Sequence, residues 1–189
     1  MLFFIHLLFF PLSVISAVLP ASSGIYTAND GRVNFTSNAP LELIKAASNN
    51  LRGALDTNKN TFAFSISIQS FEGFNSPLQK EHFNEKFMES DLYPNATFQG
   101  KIIEALDVSQ KGEVMVRAKG QLTIHGVTQE RIIRSKLTVK DGKMVIEAQF
   151  SVLLVDHNIS IPKIVSQKIA EEIEVSIFME MIEKSVSER

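Results

Sequence analysis

Three long stretches of this chain alternate apolar and polar residues, and that period of two constrains the fold more than any other feature. Successive side chains of a strand point to opposite faces, so alternation marks a strand with one face buried. Over residues 61–71, Phe62, Phe64, Ile66 and Ile68 fall on one face, with Ser65, Ser67 and Gln69 on the other. Over residues 113–125, Val114, Val116, Ala118, Gly120, Leu122 and Ile124 oppose Glu113, Arg117, Lys119, Gln121 and Thr123. Over residues 144–154, Met144, Ile146, Ala148, Phe150, Val152 and Leu154 oppose Glu147, Gln149 and Ser151. Residues 33–37, 41–47 and 51–56 are shorter strand candidates.

The turn chemistry agrees. Lys140-Asp141-Gly142-Lys143 separates two alternating runs, a hairpin signal with glycine supplying positive φ. Asn29-Asp30-Gly31 and residues 56–60 read as further turns. Residues 77–90 form the clearest helical stretch: Leu78, His82, Phe83 and Phe87 share a side, while Lys80, Glu81, Glu85, Lys86 and Glu89 stay exposed. Pro77 suits a first helical turn and Pro94 ends the segment. Such a helix, set between strands, can cap one end of a barrel.

The C-terminal part carries both periods. Val165, Ile169, Ile173, Ile177 and Met181 recur every four residues, whereas Ile173, Val175, Ile177, Met179 and Met181 recur every two. The favoured reading is a short helix after Pro162, then a strand over about residues 172–183. A last strand that pairs with the first removes the sheet's edges.

About eight to ten strands in one domain favour a closed antiparallel barrel or a sandwich. A barrel of about eight strands is just wide enough to be filled by side chains or to hold one small ligand. The inward faces carry Ala96, Gly100, Ala118, Gly120 and Ala148. These either leave room for a ligand or let phenylalanines pack from the opposite wall; the pattern leaves both open.

Composition narrows the functional classes. Cysteine is absent, which excludes disulfides, thiolate chemistry, cysteine-based zinc sites and a lipoprotein anchor. The 19 basic and 21 acidic residues give a net charge of −2, so no basic field for nucleic acid exists. Phenylalanine is abundant at 14, while tryptophan is absent and tyrosine numbers 2. The aromatic area therefore needs few hydrogen-bond partners inside a core or pocket.

Residues 1–18 are nearly all apolar, and small residues follow at Ala17, Ala21, Ser22 and Ser23. This reads as a secretory signal peptide over residues 1–23, although no Lys or Arg precedes the run and His6 and Pro11 interrupt it. The run is slightly short for a span of ~20 residues. The expectation is an exported protein, periplasmic or secreted, with no membrane span after leader cleavage and one domain over residues 24–189. A homodimer is compatible with this reading.

Catalytic chemistry finds no support. The nucleophile-elbow pattern Gly-x-Ser-x-Gly is missing. His82, His125 and His157 match no compact metal-binding spacing and read as hydrogen-bonded ends of elements. His125 and Thr128 are expected to organise the turn at Gly126. Glu81, Glu85 and Glu89 read as a solvated helix face. The expectation is a non-enzyme without a cofactor or metal.

Residues 82–100, with a Tyr93-Pro94 leading to Phe98, and residues 118–128, with Gly120-Gln121-Leu122-Thr123-Ile124-His125-Gly126-Val127-Thr128, resemble the YceI-like family of lipid-binding proteins. Val33-Asn34-Phe35, Leu51-Arg52-Gly53 and Phe71-Glu72-Gly73-Phe74 fit the same pattern. The resemblance covers nearly the whole chain after the leader. The region around Asn38-Ala39-Pro40-Leu41 is shorter and more broken than in the family. The resemblance implies an all-β, lipocalin-like antiparallel barrel of about eight strands, with one short helix at one end and an apolar tunnel for a polyisoprenoid or similar amphiphile. Carried onto this sequence, the tunnel would be lined by Phe62, Phe64, Ile66, Phe98, Ile102, Val114, Val116, Leu122, Ile124, Phe150 and Val152. Phe83 and Phe87 would close one end. On this reading Val116→Arg should abolish ligand uptake.

Overall fold

The alternating segments pair in sequence order into one closed antiparallel barrel of eight strands. The structure is a computed structural model and describes residues 24–108, 111–140 and 142–184. The expected leader, residues 1–23, and Asp141 of the expected hairpin lie outside the described residues. The strands are β1 (Ile25–Asn38), β2 (Leu43–Asp56), β3 (Thr61–Ser67), β4 (Asn95–Ile102), β5 (Gly112–Ile124), β6 (Val127–Lys140), β7 (Lys143–Leu153) and β8 (Glu172–Glu183). One short helix, α1 (Pro77–His82), lies between β3 and β4.

Tight hairpins follow from local chemistry. Ile124 faces Val127 across a two-residue turn in which His125 and Gly126 have φ of 50° and 70°. Two positive-φ residues match the right-handed twist of the flanking strands. Lys140 faces Lys143 across the next turn, where Gly142 has φ 77°. The C-terminal ambiguity resolves in favour of alternation. A single helical turn, Lys163–Val165, precedes β8, which pairs with β7 on one side and β1 on the other. This strand pairs the edges of both β1 and β7, which a helix there would leave open.

Two local expectations need correction. Asn29-Asp30-Gly31 is no reversal; it lies inside β1, where the register to β2 shifts on both sides of Gly31. A bulge uses the same residue types as a turn but bends the strand without ending it. The candidates 41–47 and 51–56 are one strand, β2. The polar residues between them fall opposite that bulge, where Ser48 is buried and its hydroxyl meets Ser70 Oγ at 2.6 Å and accepts from Asn50 N at 3.1 Å.

The helix is also shorter than residues 77–90. Ser76 Oγ accepts from Gln79 N at 3.1 Å and Pro77 opens the first turn, a regular N-terminal cap. After His82 the chain widens into one π-helical turn, Phe83–Phe87. That local unwinding leaves both phenylalanines on the barrel side of the segment.

The wall is not uniform along its length. The β2–β3 ladder spans only Arg52–Asp56, and the β6–β7 ladder only Ser135–Lys140. Away from the end where β1 begins, the wall therefore splays at these two seams. Residues 68–74 and α1 cover the first seam, with an isolated bridge between Ala47 and Glu72. The helical turn Leu154–His157 covers the second. There Gln129 Nε2 donates to the Asp156 carbonyl at 2.8 Å, Arg131 Nη2 donates to the Ser151 carbonyl at 2.8 Å, and His157 Nδ1 lies 3.1 Å from the Val127 carbonyl.

Candidate functional site

At the laddered end the barrel is solid. Tyr26, Leu55, Phe62, Ile102, Val116, Leu137, Met144 and Met181 are all buried in one cluster. Above it, toward the splayed end, the interior opens into a chamber of about 560 Å³. That volume falls within the roughly 300–1,000 Å³ typical of small-molecule sites. Of the small inward residues, only the alanines leave room. Ala96, Ala118 and Ala148 line the chamber. Gly100 and Gly120 face each other between β4 and β5 instead, where a Cβ on Gly100 would lie 2.1 Å from the Lys119 carbonyl oxygen. These two glycines bring the strands close and do not widen the interior.

Most of the residues expected to line a tunnel surround this space. Phe64, Ile66, Phe98, Leu122 and Ile124 contribute from β3, β4 and β5. Phe150 and Val152 contribute from β7, and Phe83 and Phe87 from the segment after α1. Four others do not line it. Phe62, Ile102 and Val116 point inward, but at the solid end, where facing side chains fill the space. Val114 has the inward parity yet lies near the start of β5, beyond that packed layer, and is 46 % exposed. Val116→Arg therefore tests folding more than uptake, because it places a charge in packed core.

The structure also adds residues that the alternation did not single out. Phe35 stacks on Phe83 at 5.4 Å between ring centroids, and Phe74 meets Phe83 at 5.0 Å. Phe71 lies 5.4 Å from Phe35, completing an aromatic cluster beneath α1. A second group, Phe62, Phe64 and Phe98, marks the boundary between chamber and solid core, with Phe62 and Phe98 4.8 Å apart. Phe35 and Phe71-Glu72-Gly73-Phe74 were visible as family-like segments. Their convergence was not, because they lie on segments far apart in the chain.

Polar groups gather at the opening. Glu42, Gln79, His82 and Lys168 border it. Gln79 Nε2 donates to Glu42 Oε1 at 2.9 Å, and Asn75 Nδ2 donates to the same oxygen at 3.4 Å. Ser37 Oγ accepts from Ala170 N at 2.9 Å, tying the segment before β8 to β1. Deep in the chamber, Ser135 supplies a buried hydroxyl.

The far end of the helical segment is fastened to the barrel. His125 Nε2 lies 2.7 Å from Glu89 Oε2, and its Nδ1 lies 3.0 Å from the His157 carbonyl. Both ring nitrogens face oxygen atoms. Tyr93 packs edge-on against the same ring at 4.7 Å and fills the space over Gly126, where a Cβ would lie 2.5 Å from its ring. Glu89 stays exposed, as expected for that helix face, and pairs with His125 as well. His125 does organise the turn, and Thr128 Oγ1 meets Thr123 Oγ1 at 2.8 Å beside it. The three histidines stand apart in role: His82 borders the chamber, His125 fastens the helical segment and His157 is fully buried.

A closed antiparallel barrel with an apolar chamber at one end, roofed by a short helix, is a lipocalin-like architecture, a class of barrel wide enough inside for one small ligand. Sequence comparison identifies the family within that class. The model of the YceI-like domain matches residues 25–181, and the chain belongs to this family. Among solved structures, it is similar to a polyisoprenoid-binding domain from Saccharophagus degradans implicated in plant cell wall breakdown, with a TM-score of 0.70 and 13% identity over 85% of this chain and 99% of that one. BcnA from Burkholderia cenocepacia gives a TM-score of 0.65 and 16% identity over 80% of this chain and 95% of that one. The YCEI protein of Campylobacter jejuni gives a TM-score of 0.52 and 14% identity over 96% of this chain and 92% of that one. At such identities these structures share the fold with this chain. No curated protein matches it.

Proposed function

We propose that this protein holds a polyisoprenoid or similar amphiphile, such as a quinone or polyprenol, in the chamber and sequesters or carries it without chemistry. One observation carries the reading: a chamber of about 560 Å³, open at one end, whose walls are mainly aliphatic and aromatic. Removing a prenyl chain from water gains ~25 cal/mol per Å² of apolar surface. A preformed chamber limits the ordering cost on the protein side, leaving mainly the chain's own immobilisation to offset. The solid end blocks passage through the barrel, so the tail enters first. The polar end then remains at the opening, beside Gln79, His82 and Lys168. The polyisoprenoid-binding name of the Saccharophagus relative supports the same ligand class.

Export belongs to this proposal and rests on the apolar run and small residues of 1–23. Native mass spectrometry of protein purified without detergent from the envelope fraction tests both parts. A discrete added mass, released by organic solvent and fragmenting as an isoprenoid, is the expected result. A polypeptide mass beginning near residue 24 is expected for the exported form. A bare mass, unchanged after incubation with quinones and polyprenols, would leave a ligand-free barrel as the better account.

A further inference from the structure

Three separate parts of the chain frame the chamber opening: the turn between β1 and β2, the start of α1, and residues 162–169. Leu41 N donates to the Gln167 carbonyl at 2.9 Å, and Gln79 reaches Glu42, so the three parts are held against one another. Each presents an apolar side chain outward. Leu41 is 66% exposed, Leu78 56% and Ile164 92%. Scattered exposed leucines are ordinary on a protein surface. Here one stands on each element that borders a single apolar opening, so the rim continues the chamber lining outward.

Of the three parts, residues 162–169 carry only basic charge, Lys163 and Lys168, with Asp156 before them and Glu171 and Glu172 after. Glu42, the carboxylate at the opening, accepts from the amides of Gln79 and Asn75. Exposed apolar side chains flanked by lysines match the boundary layer of an anionic bilayer, where apolar groups enter the acyl region and cations meet headgroup phosphates.

We propose that this rim docks on a lipid bilayer bearing anionic headgroups, so that an apolar chain passes between bilayer and chamber without crossing water. This rests on the ligand reading given above. Leu41, Leu78 and Ile164 enter the interface, and Lys163 and Lys168 face the phosphates. Gly24 lies at the opposite, solid end, where Thr57 N donates to its carbonyl at 2.8 Å. A retained leader would tether that end and turn the opening away from the membrane, so docking in this pose goes with a cleaved leader.

The test uses protein purified from the expressing cell and vesicles of equal parts phosphatidylglycerol and phosphatidylcholine. Flotation measures docking, and a dansyl-labelled prenol, supplied either from ethanol or from the vesicles, measures uptake. The wild-type protein is expected to float. The double variant Leu41→Ser, Ile164→Ser should reduce the floated fraction and the transfer rate from vesicles at least tenfold, with uptake from ethanol and the melting temperature unchanged. Lys163→Glu should weaken flotation and flatten its salt dependence. Wild-type protein that takes prenol from ethanol but stays out of the vesicle fraction overturns the docking proposal and leaves the ligand reading intact. Flotation without prenol uptake by either route overturns the ligand reading and, with it, the transfer role. Self-association in the absence of vesicles that the double variant abolishes identifies a second copy as the rim's occupant and overturns the lipid assignment.

Discussion

At the solid end of the barrel, Val116, Leu137 and Met144 pack side by side on three neighbouring strands; at the open end the same three strands present Ala118, Ser135 and Ala148. The rows are continuous. Along β7 the inward residues run Met144, Ile146, Ala148, and along β6 they run from Leu137 to Ser135 within one pleat repeat. The loss of side-chain volume coincides with the heights at which the β2–β3 and β6–β7 ladders stop. A chamber therefore arises from two causes acting together: less volume inside and a wall that widens. The comparison teaches that alternation specifies an inward face, whereas residue size along that face decides where it is core and where it is pocket.

Substitutions at the two ends should separate these roles. The largest effect on stability is expected from Met144→Ala or Leu137→Ala, which open cavities in the solid end and should cost about 2–5 kcal/mol. Denaturant unfolding measures the loss; below the transition, ligand retention in native mass spectrometry should be unaffected. Gly120→Val should come next. Its Cβ would lie 2.3 Å from the Gln99 carbonyl oxygen, so β4 and β5 must separate, at about 1–3 kcal/mol or more. Ala148→Phe sharpens the contrast from the other side. It projects into open space and should cost less than the about 1–3 kcal/mol of overpacking a filled core, yet it should eliminate the ligand mass. Equal ligand occupancy in Ala148→Phe and wild type would sink the assignment of this chamber as the binding site.

Two smaller effects concern the ends' boundaries. His125→Ala removes the ring that contacts both Glu89 and the His157 carbonyl, a local loss of about 0.5–1.5 kcal/mol. Hydrogen exchange should accelerate over residues 77–92, with β5 and β6 unchanged; uniform protection in the variant would show that the contact does not hold the helical segment down. At the solid end, burial first and the Glu183 charge second push the Tyr26 hydroxyl above the ordinary 10.0. The folded state then keeps a proton that the unfolded state releases. This contribution is complete below the ordinary value and is lost as pH rises through the folded one. Tyr26→Phe should flatten the decline of melting temperature above pH 10.0. An identical decline in the variant would assign it to other groups.

Much of the barrel was legible because its signals are local. Period-two alternation in β3, β5 and β7, the Lys140 to Lys143 hairpin, the capped start of α1 and the strand over Glu172–Glu183 each depend on neighbours in sequence. The errors are equally local. Asn29-Asp30-Gly31 has turn composition, but the pairings with β2 and β8 on either side of it carry the strand through as a bulge. Within the site, Phe64 and Phe150 have the inward parity of their alternating runs, and Phe98 was named through the family resemblance that follows Tyr93-Pro94. Phe62, Ile102 and Val116 have the same parity and are core, and nothing in their own segments distinguishes them.

Local pattern settles which residues face inward, roughly where the chain reverses, and that a helix interrupts the strands after β3. These follow from backbone geometry and hydrophobic patterning, which act over a few residues. Only the tertiary structure decided that the interior is solid at one end and hollow at the other, that Phe35, Phe71, Phe74 and Phe83 converge under α1, and that Leu41, Leu78 and Ile164 ring one opening. Each of these depends on which residues from distant strands share a height along the barrel axis, and strand register and closure set that height.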